Sequence, residues 1–169
     1  MMLELARWSV FVFTAMGTHL VVSGSQTLFH YSLGHHRLGG AFFRNHIKFH
    51  HTYYARGHLV SSVYRSNEGN NTPYFLIPTI LVAVVMSFVL PFDLFLVMAA
   101  ASTGSFYAHV YFDKAYHAQD PILARFAWFR HKRQLHFVHH LHGDTNFAVI
   151  DFFWDRLLGT YRRPDGDAR

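Results

Sequence analysis

Cysteine is absent from the 169 residues. That excludes disulfides, thiolate-bound iron–sulfur clusters, zinc knuckles and covalently attached c-type haem. Any metal must therefore be held through nitrogen and oxygen. Acidic residues are scarce: 10 Asp and Glu stand against 15 His and 15 Lys and Arg. Histidine is ordinarily a minor residue, so its excess over all acids needs a reason. The formal charge of +5 does not point to nucleic acid, because the basic residues alternate with long apolar runs, and no nucleic-acid partner is expected. Charge is missing altogether from residues 74–90, and the turn after them, Pro91-Phe92-Asp93, has no basic residue.

What is present is apolar and aromatic, 51% and 18% of the chain. Three runs are long enough to cross a bilayer, about residues 5–29, 74–90 and 94–112. The last two form a helical hairpin with almost no far loop, and Ala99, Ala100, Ala101, Ser102, Gly104 and Ser105 suit close helix packing in lipid. Segments 30–72 and 113–169 are polar, basic and rich in histidine. Their basic residues run from Arg37 and Arg44 to Arg163 and Arg169, and the positive-inside rule puts both segments in the cytoplasm. One span followed by a hairpin gives the same sidedness. The expectation is an all-α integral membrane protein. One domain, 1–169, would have about three transmembrane helices and a cytoplasmic helical cap carrying the histidines. His19, mid-span, reads as an inward polar residue with a partner rather than a ligand.

The histidines recur with a grammar. His136-Phe137-Val138-His139-His140 puts three imidazoles on one helical face, and His46, His50 and His51 nearly repeat it, with 46 and 50 one turn apart. His30 and His35 precede them, while Gly34, Gly39 and Gly40 interrupt the helix. His109 and Asp113 stand one turn apart near the cytoplasmic end of the last span, where such a pair is costly unless it coordinates or pairs. The expected ligands are thus His30, His35, His46, His50, His51, His109, Asp113, His136, His139 and His140, enough for a dinuclear centre. His36, His58, His117, His131 and His142 fall outside the repeated spacing and read as outer, interfacial or solvated residues. The rival readings are a solvated basic loop, a metal-handling or transport protein, and a zinc hydrolase, since imidazole suits zinc as well as iron.

With these motifs in order, the chain resembles the fatty acid hydroxylase/sterol desaturase superfamily of integral-membrane di-iron oxygenases. His30-x4-His35, His46-x3-His50-His51, Tyr107-x-His109-x3-Asp113 and His136-x2-His139-His140 resemble its histidine boxes. Asn146-Phe147 and the stretch from Trp154-Asp155 to Gly159-Thr160-Tyr161 resemble its C-terminal signature. The chain departs from that pattern in having Asp113 for a frequent His, Leu158 for Phe, Ala148 for Gly, and one span before the first box.

The resemblance implies two iron ions with O2 as co-substrate, and zinc as an occupant on isolation. It implies hydroxylation of a lipid or other apolar molecule, with desaturation as the alternative. Electrons would come from a separate ferredoxin or cytochrome b5-type donor, docking on the basic face, and a homo-oligomer is open. His109 and Asp113 would close the site from the membrane side as its catalytic pair. Asp144 and Asp155 are candidates to orient ligand N–H groups, Asp155 equally to pair with Arg156 or Arg162. Phe42, Phe43, Phe49, Phe126, Trp128, Phe129, Phe152, Phe153 and Trp154 would rim a lipid entry or simply pack.

Overall fold

The computed structural model describes residues 2–164; Met1 and the end of the expected domain, Arg169 included, lie outside them. Three long helices carry the architecture: α1 (Met2–Phe29), α3 (Thr72–Val89) and α4 (Phe92–His117). All three are long and apolar enough to cross a membrane. α3 is the most hydrophobic and has no buried residue, as expected for a helix whose solvent is lipid. Proline in its first turn falls where the missing N–H has no intrahelical acceptor anyway.

Between α1 and α3 lie the short α2 (Ala41–Phe43) and two π-helical stretches, His30–Gly34 and Arg44–His51. After α4 come α5 (Ala127–Leu141) and α6 (Phe153–Leu158). Among the described residues the only extended pairing is one isolated parallel bridge, Ser61 with Ala118. The expected all-α class holds, and three helices have the length and apolarity expected of spans.

α1 packs chiefly on α4. Arg7 pairs with Asp93 at 3.0 Å near their starts, and His19 Nδ1 meets Ser105 Oγ at 2.8 Å further along. Both pairs are 86 residues apart in sequence, so the helices run parallel and in register. His19 Nε2 also stands 2.9 Å from Asp151 Oδ2, which makes it the partnered inward residue expected from the sequence. Of the small residues of α4, Ser105 is buried in this contact, whereas Gly104 has no neighbour within 4 Å of where a Cβ would lie.

The ends of α1 and α4 and the start of α3 therefore meet at one end of the bundle. The core is there, not between the spans. Among the largest fully buried side chains are Tyr54, Tyr116, Phe42, Phe129 and Phe147, together with His50, His117, His136 and His139. Phe42, Phe129 and Phe152 of the expected aromatic rim belong to this core, while Phe49, Phe126, Trp128 and Phe153 are exposed.

Candidate metal centre

Histidine side chains converge in two groups. The first is His30, His35, His46, His51 and His139; the second is His50, His117, His136 and His140. In each group one ligand atom per residue lies within 4.8 Å of all the others.

Local helix geometry makes this sorting. A π-turn closes i to i+5, so residues five apart come into line. His30 and His35 bracket one such turn, and His46 and His51 lie five apart in another. Both pairs feed the first group. His50, expected beside His46 on an α-helical face, goes to the second group, because the segment is π-helical. On α5 the spacing is α-helical. His136 and His140, one turn apart, share the second group, and His139 turns to the first. The sequence expectation of three imidazoles at one point thus becomes two imidazoles at one site and one at its neighbour. Where the groups adjoin, the His51 and His140 rings stack with centroids 4.2 Å apart.

Hydrogen bonding sets the tautomers. Nδ1 donates to the carbonyl oxygen of Phe147 from His30 (2.5 Å), of Thr145 from His139 (2.7 Å), of Leu59 from His117 (2.8 Å) and of Tyr54 from His140 (3.1 Å). His46 Nδ1 donates to Glu68 Oε1 at 2.9 Å. A neutral ring that donates from Nδ1 carries its lone pair on Nε2. Yet Nε2 faces Nε2: His30 to His46 at 2.7 Å, His35 to His46 at 3.1 Å and to His139 at 3.2 Å, and His51 to both His46 and His139 at 3.0 Å. In the second group His136 faces His117 at 2.9 Å and His140 at 3.2 Å, and His50 Nε2 is buried with no hydrogen-bond partner.

Lone pairs so directed repel unless a cation stands among them. Nitrogens bound ~2.0–2.1 Å from one metal are themselves ~2.9–3.4 Å apart at right-angle to tetrahedral geometry. All the observed spacings but the 2.7 Å between His30 and His46 fall in that range, so the residues present fit a first-row metal ion in each group.

Burial keeps the rings neutral. It pushes His50 down to about 3 and His35 to about 2. His46, His51, His136, His139 and His140 fall well below 6.5, first by burial and then by the neighbouring imidazoles. Neutral imidazole is the form a metal binds.

Asp113 does come to the centre. Its Oδ1 lies 3.6 Å from His136 Nε2 and 3.7 Å from His50 Nε2, and its Oδ2 accepts the Tyr64 hydroxyl at 2.5 Å. His109 does not. It belongs to neither group, and its ring lies 6.3 Å from that of Phe75 on α3. The reason is helical rise: His109 sits one turn, about 6 Å, back from Asp113, whereas His117 is one turn ahead, at the buried end of α4. His117 was passed over for standing outside the repeated spacing, although it makes the same i, i+4 step from Asp113. Of the other histidines set aside, His36, His58 and His131 are exposed and none joins either group.

The supporting residues also differ from expectation. Asp155 turns to the backbone rather than to a histidine ring. Fully buried, it accepts the backbone N–H of Phe147 (2.6 Å) and Ala148 (3.0 Å) and the Thr160 hydroxyl (2.8 Å). It thereby holds the strip whose Phe147 carbonyl orients His30. Asn146, at φ 54°, donates to the Leu135 and Arg162 carbonyls and fixes the same strip. Asp144 is exposed. The carboxylate that does orient a ring is Glu68, from the polar segment 30–72. Gly34 allows the first group to close, since a Cβ there would lie 3.1 Å from His30 Cδ2 and 3.3 Å from His46 Cδ2.

Among curated proteins, a 63-residue stretch, 37% of the chain, is 35% identical to a probable Delta(7)-sterol 5(6)-desaturase of Neurospora crassa. The match spans 16% of that protein's length. No family model matches the chain. No solved structure matches it either.

Proposed function

We propose that the chain is the catalytic core of a membrane-bound, O2-dependent di-iron oxygenase that oxidises a C–H bond of a lipid or similarly apolar molecule. The observation that carries this reading is the pair of adjacent all-imidazole groups with converging Nε2 atoms, set at one end of three membrane-length helices. The histidine motifs resemble those of the fatty acid hydroxylase/sterol desaturase superfamily, and the partial match to a sterol desaturase agrees with that resemblance.

Two iron ions, when bound, would supply O2 activation and hydrogen removal from an unactivated C–H bond, with electrons from a separate ferredoxin or cytochrome b5-type donor. The first group's five imidazoles would hold one ion, and the second group's four would hold the other beside Asp113. The carbonyls of Phe147, Thr145, Leu59 and Tyr54 fix the ring tautomers, and Glu68 orients His46 and would make it the more basic ligand once ionised. Tyr64 aims Asp113, leaving Oδ1 beside His50 and His136 as ligand or proton acceptor. His109 is left without a place among the ligands and lies toward the spans, where an apolar substrate would arrive. The cytoplasmic placement of the centre rests on the distribution of Lys and Arg.

Hydroxylation and desaturation share such a site, and positioning decides between them. Desaturation is the second reading, favoured by the name of the Neurospora relative.

The test is metal analysis with Mössbauer spectroscopy on iron-57 protein prepared without air in detergent, followed by lipid oxidation assays with a reductase and donor. Two irons per chain, spin-coupled after O2, and an oxidised lipid are the expected result. Firmly bound zinc, with no coupled spectrum and no oxidised product after iron reconstitution, would move the assignment to hydrolysis or metal handling.

A further inference from the structure

The parallel register of α1 and α4 sets a depth scale. The exposed Arg7–Asp93 ion pair belongs at the far headgroup level, since neither charge is stable in hydrocarbon. From Arg7 to His19, α1 climbs about 18 Å, and from Arg7 to His30 about 35 Å. A hydrocarbon core is about 30 Å thick. His19 therefore lies inside it and His30 at or beyond its near edge.

The C-terminal segment comes down to that inner level. Asp151 reaches His19, and Trp154 Nε1 donates to Ser23 Oγ at 3.0 Å. The indole lies so close to α1 that a Cβ on Gly24 would stand 2.9 Å from it. We infer that residues 151–158 are set into the near leaflet of the bilayer, and that the groove they form with α1 holds a lipid acyl chain.

The segment is built for such a place. Apart from Arg156 its outward side chains are apolar, with Leu157 71% exposed and Phe153 and Leu158 about as exposed as each other at 41% and 40%. The one charge on its outer turns, Arg156, folds over the Tyr161 ring at 4.1 Å. Asp155 is fully buried and fully engaged, and the indole N–H has its partner, so the segment brings few unmet polar groups into lipid.

The groove has a volume of about 260 Å³. Leu20, Val21, Gly24 and Leu28 of α1 line it on one side and Leu157 and Leu158 of α6 on the other. At this depth the surrounding solvent is acyl chain, and apart from Ser25 and the already bonded Trp154 indole the groove's lining is apolar or glycine. This inference rests on the membrane-length helices and their register, not on the metal chemistry.

The absence of native cysteine makes the test direct. Nitroxide labels on L157C, V21C and D144C, each in phosphatidylcholine nanodiscs, are compared for collision with O2 and with a water-soluble nickel chelate. All three positions are exposed on the protein, so folding is not at stake. L157C is expected to match V21C, with a several-fold higher O2-to-nickel ratio than D144C. Nickel access at L157C equal to that at D144C would overturn the embedding. Phosphatidylcholine with a diazirine on its acyl chain should label peptides containing residues 20–28 and 157–158. Labelling that spares both, or zero-length cross-linking of L157C to a second copy, would overturn the acyl assignment.

Discussion

Two histidines on α4 separate what spacing alone can say from what position adds. His109 and His117 flank Asp113 at equal distance along the helix, and only His117 joins a group of converging imidazoles. In the proposed di-iron enzyme, His117→Ala should release one of the two metals and abolish turnover. His109→Ala should keep both metals, read as metal per chain after gel filtration. Loss of a metal from the second variant alone would reverse the assignment. Glu68→Gln keeps the shape of the His46 partner but cannot become a carboxylate beside a metal-bound ring, and should weaken metal retention in the first group by about 10–100-fold, measured by competition with a chelator. Of the ten expected ligands, eight imidazoles join the two groups and Asp113 lies beside the second, while the ninth imidazole, His117, takes the place expected for His109. The Glu68 carboxylate and the orienting carbonyls were not legible, because a backbone oxygen has no sequence signature and a lone acid in a polar loop carries no periodicity.

At the scale of the elements, the π-helical turns decide which ring goes where. Apolar periodicity signals a helix but not its hydrogen-bond step. That is why His46 was paired with His50 when the structure pairs it with His51. The long spans were readable because length and hydropathy alone define them. The strip at 146–148 was not, since Asp155 and Asn146 act there through backbone groups. Gly34 lies in the tight turn between His30 and His46. Gly34→Ala should push the two rings apart by a few tenths of an ångström, lowering metal occupancy while leaving the helical content seen by circular dichroism unchanged. Equal occupancy would show that the rings have room to give.

For the whole molecule, burial of so many neutral imidazoles couples stability to pH. His50 is held at about 3 when folded, against 6.5 for an ordinary histidine, and burial is the cause. Below 6.5 the unfolded chain takes up protons that the folded one refuses, so stability falls as pH drops from 6.5 toward 3 and is fully present above 6.5. Metal-free protein in detergent should therefore show an unfolding temperature that declines steadily with acidification through that window. Saturating metal should raise it most at neutral pH, where the ligands compete with fewer protons. A flat profile would mean that the rings are already wet in the metal-free state.

His50 and His51 are neighbours on the chain, as are His139 and His140, and each neighbour serves a different group. Consecutive Cα atoms are about 3.8 Å apart across a trans peptide, a covalent length that does not stretch. The interval between the two groups is thus gauged twice by the backbone itself, on separate elements. A shift of α3, which supplies no residue to either group, would leave that interval unchanged. Room beside α3 and constancy of the interval between the two groups need not compete in this architecture.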